Sequence, residues 1–453
     1  MRTLIIGHGG RESALAFRMA QHSELHAFMG HENPSLLASA DASGGSYEIG
    51  DVSDPRAVAA FARAREIDIA MVSADEPLAA GVVDALLEQG TAAVGPTRAG
   101  AEIEWNKAFA RALLAEVAPE AVPLLRVVHA PEAVREALDS FGSTPVVVKP
   151  SGLTGGKGVK VMGPHLADHE AAGEYARELL ARAAPGDSVL IEEKILGGEF
   201  TIQAISDGKT MVFPAPTYDY PYRYDGDEGP GTGGMGSLSL ADGTLPFLSE
   251  AQYRQACSII QRVIERLGQL GRRFTGIMNS GFFATASGVK VIEFNARFGD
   301  PECMNIMSLF EGDWPYVMGH LAAGTLSPGD VELRKEASLV LYLVSPDYAL
   351  RAGEPYEFEL DRAALEAPDA SGRAGCHVFF ASAVQSGENT YRTVGTSRAV
   401  ALTTTAPTLE QARLRLVECA SSVRGPLQWR HDVGSGRYLE NLAKLVGSSA
   451  VAI

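Results

Sequence analysis

The sequence predicts a multidomain protein of mixed α/β and α+β class, and three observations carry that prediction. Its 453 residues exceed what one hydrophobic core organises, so roughly two to four domains are expected. The first hundred or so residues alternate short apolar strands with helical periodicity, which marks a parallel sheet flanked by helices. Beyond about residue 328 the alternation gives way to strands, turns and one late helix, a separate α+β domain.

In chain order, residues 3–6 form an apolar strand, and 11–22 follow with helical spacing of Leu15, Ala16 and Met19. Between them, "GHGGRE" has the form of a strand-to-helix turn whose backbone N–H groups favour an anion. It fails as a dinucleotide fingerprint, because Glu12 stands where the third glycine after Gly7 and Gly9 belongs, which argues against a nicotinamide enzyme. A helix over 55–66, the strand "IDIAMVS", a helix through "DEPLAAGVVDALLEQG" and the strand "TAAVGP" complete a first α/β domain, residues 1–100. Asp75 and Glu76 fall just beyond a strand's carboxyl end, where open parallel sheets present ligand-binding groups, although as helix N-terminal carboxylates they would suit the dipole equally well. "AGAEIEWNKAFARALLAEVA" reads as one helix carrying Lys107. Short strands and a helix at 166–184 make residues 121–192 a small inserted lobe. Residues 101–120 and 193–327 form a central domain with a helix at 250–267 and the strand "VKVIEFNARFGD". Residues 328–453, with a helix at 409–421, form the C-terminal domain.

A formal net charge of −17 argues against a nucleic-acid partner, which needs clustered Lys and Arg. No uncharged apolar run approaches the ~18 residues of a membrane span. The N-terminus enters a strand directly, without the apolar core of a signal peptide, so a cytoplasmic location is expected. Cys257, Cys303, Cys376 and Cys419 show no CxxC spacing, and reduced thiols are expected rather than a disulfide framework or a zinc cluster.

In "VVVKPSGLTGGKGVKV" a strand lysine, Lys149, precedes a loop holding Lys157, and Gly152, Gly155, Gly156 and Gly158 let backbone N–H groups approach phosphate oxygens. Gly158 follows Lys157 where a Walker loop needs Ser or Thr. In "LIEEKILGGEF" the backbone from Glu192 through Glu193 to Ile195 could pair with an adenine edge, and Glu199 could reach a ribose hydroxyl. "VIEFNARFGDPE" puts Glu293 and Asn295 at i and i+2, hence on one strand face, as oxygen ligands suited to Mg²⁺. Arg297 continues that face as a bidentate partner for carboxylate or phosphate. Taken alone, alternating Glu, Asn and Arg more often marks the wet face of a strand, and the upstream lysines change that balance.

Together with "NKAF" around Lys107, "GPGTGGMG" at 229–236 and "WRHDVG" at 429–434, these segments resemble the ATP-grasp ligases, and within them the phosphoribosylamine–glycine ligase family, over essentially the whole chain. The resemblance implies an ATP-grasp architecture with an N-terminal Rossmann-like domain and a small C-terminal domain. It implies that Lys107, Lys149 and Lys157 contact ATP phosphates, that Glu192, Glu193 and Ile195 hold adenine and Glu199 ribose, and that Glu293 and Asn295 bind Mg²⁺ or Mn²⁺. Gly9, Gly10, Arg11, Glu12, Asp75, Asp219, Arg297, Gly299 and Asp300 would hold substrate, with Arg297, Lys157 and Asp219 at the reacting groups. The implied chemistry moves the γ-phosphoryl group to a substrate carboxylate, and an amine then displaces phosphate to leave an amide and ADP. Such transfer asks for positioning and charge neutralisation rather than a protein nucleophile. The implied partners are a small carboxylate and a small amine, with the chain a monomer or homodimer. Cys303 reads as a pocket-wall thiol rather than a nucleophile.

Several positions depart from the family's pattern. Ser13 replaces a His, Asp75 a Glu, and Cys303 and Met304 a Thr-Gln pair, while Tyr220, Pro221 and Tyr222 replace a basic run after Asp219, with an arginine only at Arg223. These changes spare the nucleotide and metal positions, and predict a paralogue with an altered substrate. The alternative is an unaltered family member of purine biosynthesis, and a nucleotide-binding protein without ligase activity would not require the metal face.

Overall fold

Leu4, Ile5 and Ile6 are fully buried because strand Arg2–Ile6 is the centre of a five-stranded sheet. Tyr47–Ile49 and Glu24–Met29 lie on one side of it, Ile69–Val72 and Ala92–Val94 on the other, and every pairing is parallel. The structure, a computed structural model, describes residues 1–152, 158–183, 187–351, 353–368 and 375–449. At the end of the central strand Gly7 has φ of 125°, and a Cβ there would come within 2.7 Å of Glu12 Cγ, so only glycine lets the chain turn into helix Gly10–Met19. The Glu12 carboxylate accepts from Gly9 N–H at 2.8 Å and closes that helix's N-terminus.

The single helix expected around Lys107 is two. Arg98–Trp105 ends at Asn106, whose φ/ψ of −111°/84° is not helical and whose side chain accepts from Phe109 N–H, capping Lys107–Val117. The cap competes with continued helix and sets Lys107 at the first position of a new one. The helix through 75–88 is likewise broken at Gly81, φ 90°.

The small lobe is an antiparallel sheet ordered Leu125–Val128, Val189–Glu193, Val146–Pro150, Lys160–Val161. Helices Val134–Asp139 and His169–Arg182 cover it, and Val146, Val148, Ile191 and Ala176 centre a core of its own. The central domain is built on the antiparallel pair Gly198–Ser206 and Gly276–Thr285, flanked by Met211–Val212 and Gly288–Asn295 and backed by helix Glu250–Gln269.

A fourth sheet orders Tyr218–Asp219, Gly236–Ser239, Ala337–Leu343, Val400–Ala406 and His377–Phe380. The segment carrying "TGGMG" is thereby hydrogen-bonded to C-terminal strands, which brings C-terminal loops to its glycines. A helix over Gly436–Ser449, absent from the expected pattern, closes the chain. One cysteine expectation is corrected: Cys376 and Cys419, 43 residues apart, form a disulfide, because strand His377–Phe380 and helix Leu409–Ser422 bring them together. Cys257 and Cys303 are free. Among the described residues no helix is long and apolar enough to cross a membrane.

Candidate functional site

Two neighbouring cavities hold most of the residues singled out from sequence, while Gly9, Gly10, Glu12, Lys107 and Gly299 line neither. The smaller, about 250 Å³, lies between the small lobe and the central sheet and is lined by Lys149, the segment from Glu192 to Ile195, Glu199 and Tyr222. The larger, about 830 Å³, brings together Arg11 and Asp75 of the N-terminal domain, Asp219, Glu293, Asn295 and Arg297 of the central one, and C-terminal side chains. Lys157, Gly155 and Gly156 lie outside the described residues.

Lys149, one residue before the end of strand Val146–Pro150, has Nζ 2.7 Å from Glu192 Oε2, while Arg111 grips the same carboxylate through Nε at 2.6 Å and Nη2 at 3.0 Å. Burial works against the Glu192 charge, but Arg111 and Lys149 outweigh it and hold the carboxyl at about 2. The Glu192 side chain is therefore committed to this ion cluster. Glu193 N–H donates to Leu124 O at 2.9 Å while its carboxylate accepts from Leu124 N–H, and Lys194 N–H donates to Pro145 O at 2.7 Å. Lys107 Nζ donates to Gly152 O at 3.1 Å, at the edge of the glycine loop. Burial lowers its pKa, Glu293 opposes and Lys149 adds to the lowering.

Glu293 and Asn295 do share a face, with Asn295 Nδ2 3.3 Å from Glu293 Oε1. Arg297 is held by a residue the sequence reading missed. Glu104 Oε1 lies 3.0 Å from Arg297 Nη2, and Glu104 Oε2 accepts from Ala296 N–H at 2.8 Å. Buried on an amphipathic helix, Glu104 carried no motif to mark it. Asp75 stays charged. Burial opposes this, but Arg297, Arg11 and the helix N–H groups keep its carboxyl below the usual range. Arg11 pairs with Glu12 at 2.6 Å and donates to Phe298 O at 3.1 Å, tying the first turn to the strand end before Gly299. A Cβ on Gly10 would overlap the Tyr342 hydroxyl, so this helix start packs directly on the C-terminal sheet.

Asp300 accepts from Tyr342 Oη at 2.6 Å and pairs with Arg398 at 3.3 Å. Arg398 also donates to the carbonyls of Gly233, Gly234 and Asp300, fastening the "TGGMG" loop. Arg351 lines the same cavity. Neither arginine stands near a recognisable motif, and only the shared sheet brings them here.

The acidic end of the cavity has the donor set of a hard cation site. Asp219 Oδ1 and Asn279 Oδ1 are buried without hydrogen-bond partners among the described residues. Burial, then Glu302 and Glu199, push Asp219 well up, and burial, then Glu293, push Glu199 up to about 7. Mutually repelling carboxylates and orphaned oxygens beside exposed Glu293 fit a dication of the Mg²⁺ type. Among the described residues no three His, Cys, Asp or Glu side chains form a closed metal cage, so substrate oxygens would complete such a shell. A stability consequence follows. A raised carboxyl contributes stability that is complete below its unfolded pKa and lost as pH rises through its folded value, about 7 for Glu199. The ligand-free chain is expected to melt higher at about pH 5.5 than at about pH 8, and Glu199→Gln to flatten that difference, as calorimetry would show. An unchanged slope in the variant would contradict it.

The departures from the family pattern turn out to be largely packing. Ser13 Oγ donates to Phe380 O at 2.6 Å in the seam with the C-terminal sheet. Cys303 and Met304 are fully buried, which also removes Cys303 as a nucleophile. Tyr220 is fully buried, its hydroxyl accepting from Gly434 N–H at 2.9 Å, and Arg223 is buried against Gln428. Of the positions that suggested an altered substrate, Asp75 and Tyr222 reach the cavities, with Pro221 beside Tyr222 in the smaller one.

Comparison with known proteins agrees with this geometry. Residues 1–104 match the family described as phosphoribosylglycinamide synthetase, N domain, and residues 105–303 the ATP-grasp (A) domain of the same synthetase. The chain is 37% identical over 451 residues to the phosphoribosylamine–glycine ligase of Methanopyrus kandleri, covering 97% of each. It is 38% identical over 438 residues to that of Methanococcoides burtonii, covering 96% of each. Its fold is similar to the crystal structure of phosphoribosylamine–glycine ligase from Thermotoga maritima, with a TM-score of 0.76 at 23% identity over 95% of this chain and 100% of that one. A biotin carboxylase domain from Hydrogenobacter thermophilus shares the fold at a TM-score of 0.67 and 15% identity, over 98% of this chain and 93% of that one. By these matches the chain belongs to the phosphoribosylglycinamide synthetase family.

Proposed function

We propose that this chain is an ADP-forming ligase that joins glycine to phosphoribosylamine in the cytoplasm. The observation that carries the reading is the larger cavity, where Arg11, Arg297, Arg351 and Arg398 converge beside the Glu293–Asn295 face and next to the nucleotide pocket. The cationic charge that the aromatic run after Asp219 lacks is thus supplied from other parts of the chain. An altered substrate is no longer needed to account for that run, since Tyr220 and Arg223 are core residues.

In this reading ATP lies in the smaller cavity. The backbone N–H groups of Glu193 and Lys194 are already engaged, so the adenine edge falls to Ile195, the next residue of the strand end. Lys149 and Lys107 face the phosphates, with Lys157 assigned to them from the loop sequence. A divalent cation held by Glu293 and Asn295 would supply neutralising charge to the phosphate oxygens. Arg297, fixed by Glu104, orients the glycine carboxylate, and Asp75 offers a charge opposite the glycine ammonium. The terminal P–O bond of ATP breaks as a glycine oxygen takes the phosphoryl group. The phosphoribosylamine nitrogen then attacks the acyl carbon, loses a proton, and inorganic phosphate departs.

The test is ADP release with glycine and freshly generated phosphoribosylamine, where kcat/KM above about 10⁴ M⁻¹s⁻¹ is expected. Without the amine, hydroxylamine should trap a glycyl hydroxamate. Release of AMP, or turnover only with another amine, would overturn the proposal. We assign the sugar phosphate to the C-terminal wall, where Arg351 is the exposed cation. Arg351→Ala should raise the KM for phosphoribosylamine about tenfold, the loss of roughly one charge-assisted hydrogen bond, with the KM for ATP unchanged. A parallel rise in both would return the phosphate to another arginine.

A further inference from the structure

The strand that carries Glu293 is irregular. Against Gly276–Thr285, Glu293 pairs with Gly281 and Val291 with Phe282, so Ile292 is an extra, bulged residue immediately before Glu293. Such a bulge bends the strand and re-aims the side chain that follows it. It also frees carbonyls from the regular ladder, and here two successive ones turn to the same partner. Arg111, from helix Lys107–Val117, donates through Nη1 to Val291 O at 3.2 Å and through Nη2 to Ile292 O at 2.7 Å.

The same guanidinium grips Glu192 from the other side, and Glu192 in turn holds Lys149. Arg111 is 6% exposed, and its donors run to four acceptor atoms on three residues of two separate sheets. A planar fork with five N–H donors can do this, whereas a lysine ammonium is a point charge that cannot span the carboxylate and both carbonyls. The small lobe has a core distinct from that of the central domain, so nothing in its own packing fixes the distance from Lys149 to Glu293. The Arg111 fork crosses that seam.

We propose that Arg111 is a positioning residue that sets, through one guanidinium, both the aim of Lys149 at the nucleotide phosphates and the aim of bulge-adjacent Glu293 at the divalent cation. The inference rests on the proposed roles of Lys149 and Glu293. Glu192, expected from sequence to serve adenine, acts as the link from Arg111 to Lys149. The two substitutions that separate these effects are Arg111→Lys, which retains charge but not the fork, and Glu192→Gln, which retains shape and an acceptor but leaves the bulge contacts in place.

The measurement is the affinity of a fluorescent ADP analogue with and without Mg²⁺, alongside melting temperature. Arg111→Lys is expected to weaken both the Mg²⁺-free affinity and the gain that Mg²⁺ brings, the latter about ten- to a hundredfold, as loss of a residue supporting a metal ligand does. Glu192→Gln should weaken the Mg²⁺-free affinity alone. A lowered melting temperature with both affinities intact, or identical losses in the two variants, would overturn the role. Should Arg111→Lys fail to fold, Glu192→Gln decides, because an undiminished Mg²⁺-free affinity there breaks the link to Lys149. Wild-type protein that binds no ADP would overturn the nucleotide reading and this inference together, whereas normal wild-type binding with unaffected variants would sink this inference alone.

Discussion

Lys149→Ala is expected to cut ADP formation by about a hundredfold or more at saturating substrates while leaving the chain folded, the order of loss seen when a fixed positive group is removed from developing charge. The loss falls on catalysis in the proposed reading because Lys149, near the end of strand Val146–Pro150, lines the smaller cavity, where burial would strengthen its interaction with an ATP phosphate. The fold should survive because Glu192 does not become an uncompensated charge. Arg111 keeps its bidentate grip on that carboxylate, so the cost should stay below the roughly 3–5 kcal/mol of an orphaned buried ion. Steady-state ADP release and a thermal melt on the same preparation separate the two effects. Near-normal turnover would remove Lys149 from the phosphate site, and a collapsed melt would show that Arg111 alone does not compensate the Glu192 carboxylate.

What the sequence made legible is what is local. Glu293 and Asn295 were readable because a strand's period of two puts i and i+2 on one face, and the two side chains do meet. The parallel N-terminal sheet was readable because its central residues alternate with helical segments at short separations. The rest depends on contacts between distant segments. Arg111 meets Glu192 across 81 residues and Val291 across 180, Arg398 reaches Gly233 across 165, and no periodicity encodes those encounters. Departures from a motif were misleading for the same reason. Ser13 and Tyr220 look like altered site residues in one dimension, yet each is a packing residue against the C-terminal part of the chain. Even the helix around Lys107 was misread, because Asn106 can serve as an interior residue or as a cap, and the tertiary position of Lys107 selects the cap.

Glu293→Gln should raise the Mg²⁺ concentration for half-maximal activity by roughly ten- to a hundredfold, equivalent to losing one strong charge-assisted contact, whereas Glu302→Gln should change it little. Both carboxylates line the larger cavity and both belong to one short motif, so composition does not distinguish them. Their surroundings do. Glu293 is exposed on the open face beside Asn295, where a hydrated cation can approach and keep its other ligands. Glu302 is 6% exposed at the start of helix Glu302–Leu309, and burial pushes its carboxyl up. A glutamine there resembles the neutral form toward which burial pushes this carboxyl. It should also remove part of the loss of stability that comes with rising pH, so Glu302→Gln is expected to melt no lower than the parent chain at about pH 8. Titrating Mg²⁺ against ADP release in the two variants, with melts at two pH values, tests both statements. Equal shifts in the Mg²⁺ requirement would place the cation at the Asp219–Glu302 end of the cavity, and would leave Glu293 as no more than the solvated end of its strand.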